Sequence, residues 1–435
     1  MDRLQIKYLI LITIYTSLFA SQAENYGLGG STTGRVSGVT AEIENTHAAL
    51  YNPALLAGGF NTLFSFSTGI SQTKFSPIKQ VVVRDPKTNL LSVQDYNLEN
   101  VQTTQWTLGY RFPYLLPEKI NRMMGAGLSL SGPYNSMRSF TARTPDDFYS
   151  VRYGNSDSQF KATLGAAIEL IPETIYFGAG MSLYLVGAGN ADSNLTTENP
   201  SSRLVFDVGL NSAWIFGLLG RWNLSTVGLT YHEAINPQFE QTFEGIAPIG
   251  GSSITVPVSV KSSLYYEPKQ LQLEAQHDFE SLKISLGISY QFWDAYLPPI
   301  LITTTTDSNG NKTVTQLPRQ EFANTFNPRA SIEVPWLNNQ LVTAAGYQFR
   351  PTPVKETSSS FNALDSDTHI VGLSLEHRLE KNIILPWPIK WGLYGQYHFI
   401  NDRKIDKLTS TYTGSPSYTY SANSYTYGIS LEATL

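Results

Sequence analysis

Ser424-Tyr425-Thr426-Tyr427-Gly428-Ile429-Ser430-Leu431-Glu432-Ala433-Thr434-Leu435 alternates to its last residue. Tyr425, Tyr427, Ile429, Leu431, Ala433 and Leu435 share one face, and Ser424, Thr426, Gly428, Ser430, Glu432 and Thr434 share the other. Successive side chains of a strand point to opposite faces, so this stretch has an oily side and a polar side. A strand that is oily outside and polar inside is the wall unit of a transmembrane barrel. The stretch predicts an all-β fold: a transmembrane antiparallel β-barrel.

The same period recurs back to about residue 60. Leu271-Gln272-Leu273-Glu274-Ala275-Gln276 has apolar odd and polar even positions, and Ile284-Ser285-Leu286-Gly287-Ile288-Ser289-Tyr290-Gln291-Phe292 repeats the pattern. A soluble sandwich would also alternate, so period alone does not decide. Ring placement does, because Tyr and Trp gather at both edges of a bilayer. Here rings mark predicted strand ends: Trp106 and Phe112, Tyr176, Trp214 and Trp222, Tyr231, Tyr265, Phe292 and Trp293, Trp336, Tyr347 and Phe349, Trp391 and Phe399. Short connections marked by Pro or Gly (near 113–117, 172–173, 217–220, 335–336 and 386–388) alternate with long polar ones (near 72–101, 131–157, 186–202, 232–254, 294–327, 351–367 and 401–424). The alternation loses step between Asp278 and Arg329. About fifteen candidate strands result, whereas a barrel of this kind needs an even number.

Bulk composition narrows the function. The chain has 435 residues, of which 15% are charged and 12% aromatic, and its net charge of −5 offers no basic patch for nucleic acid. Without a Cys there is no disulfide, thiolate metal site or cysteine nucleophile. Residues 1–23 read as a signal peptide, with Arg3 and Lys7 before an apolar stretch and Ser21-Gln22-Ala23 before Glu24. No later run of about 18 apolar residues predicts a spanning helix. The six His are scattered without ligand spacing, so no metal is expected.

Between the export segment and the first strand lie Gly27-Leu28-Gly29-Gly30, then Gly34-Arg35-Val36-Ser37-Gly38-Val39-Thr40-Ala41, then Ala48-Ala49-Leu50-Tyr51-Asn52-Pro53-Ala54-Leu55-Leu56. Pro53 lacks a backbone donor and fixes φ, so Tyr51-Asn52-Pro53 reads as a turn. Irregular backbone is tolerated at membrane depth only where protein or water surrounds it, as inside a barrel. This region resembles the N-terminal hatch of FadL-type outer-membrane transporters of long-chain fatty acids. Gly346-Tyr347-Gln348-Phe349-Arg350-Pro351-Thr352-Pro353-Val354 with Val371-Gly372-Leu373-Ser374-Leu375 is similar to the same family, and Val256-Pro257-Val258-Ser259-Val260 is a looser likeness.

The resemblance implies a barrel of 14 strands, with 16 as the even alternative, plugged by an N-terminal hatch. Its domains would be a signal peptide (1–23), a hatch (24–59) and an outer-membrane barrel (60–435). It implies passive transport of a hydrophobic ligand such as a fatty acid, which binds near Glu24, Asn25 and Tyr26 and leaves sideways into outer-membrane lipid. Asn52, Pro53 and Ala54 would form the movable part of the hatch. The implied partners are that ligand, the surrounding lipid and the barrel assembly machinery, for a monomer without cofactor. Three departures stand out: Glu44-Asn45 where the family often has Asp, Leu55 after the Asn-Pro-Ala, and Leu435 as the last residue.

Rival readings keep the barrel and change its task. One is a non-transport surface barrel, an adhesin or secretion component. The other is a phospholipase built on Ser308, but Asn309-Gly310 there is a hairpin signal and no His precedes the Ser as a base. Arg138, Arg143, Asp146, Asp147 and Arg152 suit either a carboxylate-greeting mouth or a solvated loop. Asp365, Asp367 and His369 suit a pH-sensitive cluster or, again, a solvated loop.

Overall fold

The computed structural model describes residues 23–435 except 37, 86–89, 118–119, 135–146, 154–159, 195–200, 237, 250–251, 264–265, 297–301, 307–311, 315–321, 356–361, 381–385 and 408–411. Fourteen strands form a closed antiparallel ring: β1 Leu63–Phe75, β2 Val101–Leu115, β3 Met123–Pro133, β4 Lys161–Ile171, β5 Ile175–Asn194, β6 Ser201–Trp222 and β7 Ser225–His232. The ring continues with β8 Lys269–Phe279, β9 Leu282–Phe292, β10 Thr325–Trp336, β11 Leu341–Arg350, β12 Thr368–Leu379, β13 Ile389–Asp406 and β14 Ser417–Thr434. Each strand pairs with its neighbours in sequence, and β14 closes onto β1 from Leu63 opposite Thr434 to Phe75 opposite Ala422. Closure removes both open edges, which a membrane does not tolerate.

The count of fifteen is corrected to fourteen. The surplus alternation lies outside the ring: Gln238–Ile249, Ser252–Ser263, Ile302–Thr306 and Lys312–Val314 form an added sheet that joins the far part of β5 through Glu240 opposite Ala188. Val256 to Val260 therefore belongs to this outer sheet and not to the wall. Gly217 and Gly220 lie within β6, and the turn falls at Asn223 and Leu224. The lost step at Asp278 has a similar cause. β8 turns into β9 at Glu280 and Ser281 without Pro or Gly, using a left-handed Glu280 (φ 49°), and Asn223 does the same (φ 50°). Non-glycine residues in that region are uncommon, so sequence gives little warning of such turns.

All seven long connections lie at one end of the ring, the loop end, and the short ones at the other, the turn end. Outward positions form the oily band, as in β12, where Val371 and Leu373 are exposed while Ile370, Gly372 and Ser374 are buried. Exposed rings border the band near the loop end (Tyr290, Phe326, Tyr347, Tyr397, Phe399) and the turn end (Phe112, Trp222, Trp336, Trp391). Tyr176 and Trp293 depart from the expected placement and are buried inside, because they fall on the inward register. Trp106 is also buried.

Candidate functional site: the stoppered lumen

The bore is filled by residues 25–59. After Ala23–Tyr26 (α1) and Gly30–Gly34 (α2), the chain forms Ala48–Tyr51 (α3) and a 3-10 turn over Pro53–Ala57. Asn52 caps that turn: its Oδ1 accepts from the Ala54 N–H (3.1 Å), while its Nδ2 donates to the carbonyls of Thr40 (2.8 Å) and Leu218 (3.1 Å). Pro53 sits at the first position, where its missing N–H is not needed.

This turn has a dry seat. Ala48, Ala49, Ala54, Leu55, Leu56 and Ala57 pack with Met123, Ala167, Tyr176 and Leu219. The facing wall of β3 to β6 carries Gly125, Gly127, Gly165, Gly178, Gly180 and Gly217 on its inward register. A Cβ at Gly178 would overlap the Pro53–Ala54 backbone, and one at Gly217 would overlap Asn52 Oδ1. Arg111 of β2 reaches across and donates to the carbonyls of Ile43 and Leu56. Asn52, Pro53 and Ala54 are thus held between the glycine-lined wall and the Thr40 carbonyl.

The other candidate group lies toward the loop end. Asn25 Nδ2 donates to the Arg152 carbonyl (2.5 Å), and Arg350 Nη1 donates to Asn25 Oδ1 (3.2 Å). Tyr26 bonds Ser424 through its hydroxyl (2.5 Å), and Gln396 Nε2 donates to its carbonyl (3.0 Å). The Tyr26 ring packs on His398 at 4.9 Å. Glu24 lies in α1, and its side chain is outside the described residues. Tyr153, which bonds His398 here (2.9 Å), joins this end to an apolar cluster that includes Phe148, Ile400 and Tyr418.

Arg152 is buried beside Asp365 (3.7 Å) and stacks on Trp293, so it braces the outer loops and does not line an open mouth. Burial holds the Asp365 carboxyl above the usual range despite that guanidinium. Asp365 points inward while His369 contacts Tyr347 and Phe349 on the outer surface, so the acidic stretch with His is not one cluster. Arg138, Arg143, Asp146 and Ser308 lie outside the described residues.

Between the two candidate groups runs a layer the sequence did not flag. Arg329 of β10 pairs with Glu274 of β8 (3.1 Å) and donates to Thr40 Oγ1 (2.9 Å). Glu274 also accepts from the Ala41 N–H (3.2 Å), and Thr226 donates to the Ala41 carbonyl (2.8 Å). Arg35 pairs with Glu42 and with Glu333 of β10 (3.3 Å). The available signal was a lone charge on the polar register of an alternating strand, as in Leu271-Gln272-Leu273-Glu274. A buried ion pair is retained only where its geometry and further hydrogen bonds compensate for desolvation, so such a charge marks a contact point.

Among the described residues, two luminal cavities flank this layer. One of about 60 Å³ lies toward the loop end, with Tyr51, Gln272, Ser289, Arg329 and Arg350 on its lining. One of about 270 Å³ opens at the turn end, where Glu42, Glu44, Asp278, Glu280, Glu333 and Glu376 outnumber Lys283, Arg378 and Lys390. A third hollow of about 530 Å³ is apolar and lies on the outer face, where Thr343, Ala345 and Gly395 sit among Ile332, Leu373 and Leu393.

Fold and interior together define a plugged β-barrel. The sequence matches no protein-family model and no curated protein. Among solved structures, a FadL homologue from Pseudomonas aeruginosa is similar over 94% of this chain and 98% of its own, with a TM-score of 0.62 at 12% identity. The toluene transporter TodX of Pseudomonas putida (TM-score 0.53, 14% identity) and the toluene transporter TbuX of Ralstonia pickettii (TM-score 0.51, 14% identity) each cover 94% of this chain and 99% of their own. At these identities the likeness shows a shared architecture: the chain has the FadL-like barrel fold.

Proposed function

We propose that this barrel carries hydrophobic molecules, long-chain fatty acids in particular, passively across the outer membrane. The observation that carries this reading is a lipid-facing closed wall whose bore is filled by its own N-terminal segment. An open water-filled pore would serve a fatty acid poorly, since each CH₂ kept out of water is worth roughly 0.8 kcal/mol. The solved structures with the same fold include proteins named as toluene transporters, which supports a hydrophobic cargo.

In this reading Asn25 and Tyr26, with Glu24 beside them, form the ligand end. Asn52, Pro53 and Ala54 anchor the hatch while neighbouring segments shift, and the ligand leaves sideways into lipid. Uptake of radiolabelled oleate into cells lacking the chromosomal copy tests the claim. Complementation should restore uptake, and Tyr26→Ala should reduce it several-fold while the folded barrel remains abundant in the membrane. Uptake that is indifferent to the presence of the chain would remove the fatty-acid assignment.

A further inference from the structure

The inward registers of β8 to β11 pass from one luminal cavity to the other. On β10 the successive inward residues are Asn327, Arg329, Ser331 and Glu333. Arg329 lines the loop-end cavity and Glu333 the turn-end one. Four residues of strand separate them, about 13 Å at roughly 3.3 Å per residue. Among the described residues one layer intervenes. It consists of Arg35, Gly38, Thr40 and Ala41 of the hatch against Glu274, Arg329 and Ser331 of the wall. The Arg329 side chain lies across Gly287, where a Cβ would come within 2.8 Å of its Nε.

This layer differs in kind from the seat of Pro53 and Leu56. Its polar members are held by ion pairs and hydrogen bonds, and Val39 alone joins a small apolar cluster with Leu28, Leu50, Tyr51 and Ile215. The layer also leaves buried polar atoms without a protein partner: Asn327 Oδ1, Arg329 Nε and Ser331 Oγ on three successive inward positions, with Thr230 Oγ1 on β7. Native interiors hold few such atoms, and a line of them beside two polar cavities marks a route that water can enter. Carboxylates outnumber cationic side chains on the turn-end lining, and rings of carboxylates favour cations.

We propose that the barrel contains an axial polar path for small inorganic cations along β8 to β11, stoppered by residues 38–42 and latched by Arg329 and Glu274. The packing of Leu55 and Leu56 stays in place when this stopper moves, at the loss of the Asn52–Thr40 hydrogen bond. The path is separate from the lipid-facing route of a hydrophobic cargo.

The test uses the purified full-length chain in planar lipid bilayers under a KCl gradient. The double variant Arg329→Ala/Glu274→Gln removes the latch without leaving a buried charge. It should open about tenfold more often than wild type, the scale set by losing charge-assisted hydrogen bonds. Its reversal potential should favour K⁺, and Asp278→Asn/Glu280→Gln should shift that potential toward zero. The ideal Cβ of Gly38 lies 3.7 Å from Ser331 Cβ, within the range a disulfide spans. In this chain without Cys, Gly38→Cys/Ser331→Cys should silence the openings when oxidised and restore them on reduction.

Openings that persist after confirmed disulfide formation would overturn the proposal, as would anion preference or a latch variant no more active than wild type. Should the latch variant fail to fold, the tether added to wild type decides the matter through its rare openings. Oleate uptake on the same variants reads the hydrophobic route independently, so neither result decides the other.

Discussion

Asn52 does more for the interior than its small side chain suggests. Three hydrogen bonds join its amide to Thr40, Leu218 and Ala54, and it is fully buried. Asn52→Ala would strand those partners and should lower stability by roughly 2–4 kcal/mol in urea unfolding of the reconstituted barrel. Pro53→Ala should stay within about 1 kcal/mol, since Pro acts there mainly on the unfolded chain. A neutral Asn52→Ala would show that the seat is not anchored there. Gly217→Ala should block assembly, because its Cβ would overlap Asn52 Oδ1; the readout is loss of the heat-modifiable band on a gel. Asp365 sets the pH response of the outer loops. Its carboxyl is held above the ordinary value, so the folded loops bind its proton more readily than the unfolded chain does. Acidification from neutral through that raised value, toward the ordinary one, should therefore stabilise them. Proteolysis of the 351–367 connection should slow as pH falls, and Asp365→Asn should remove the dependence.

Strands were the most legible elements, because lipid outside and polar contacts inside impose a strict period of two. β14 follows it from Tyr418 to Glu432 and β12 from Thr368 to His377. Leu286 on β9 is exposed on the oily side, so Leu286→Arg should cost about 2–4 kcal/mol if it lies near the bilayer midplane. Urea midpoints of the two proteins in vesicles check this. Period fails where strands leave the membrane: β5 and β6 run to 20 and 22 residues and β5 carries an added sheet, so the surplus alternation miscounts as wall. Turns were legible where Pro marks them, as at Pro172, and invisible at Glu280. The hatch was legible as irregular Gly-rich backbone, and Asn52-Pro53-Ala54 as a turn. The partners that hold it were not, because Arg111, Glu274 and Arg329 come from strands distant in sequence and only closure of the ring brings them together.

The wall and the stopper are separable in principle, since every strand of the ring is paired on both sides without help from residues 24–59. Deleting those residues should leave a closed cylinder with an open bore. Cells carrying it should become sensitive to large hydrophilic antibiotics such as vancomycin, measured as a fall in the inhibitory concentration. Retained resistance with the folded barrel present would mean that something else obstructs the lumen. The seam between β1 and β14 has a temporal consequence. Leu63 meets Thr434, so the first and last strands of the wall are joined only after β14 has been synthesised. A hatch folded before that moment is enclosed by the closure, and one that folds later must enter the bore as extended chain. A delay in the arrival of β14 would therefore lengthen the interval in which a folded hatch can be wrapped by its own wall.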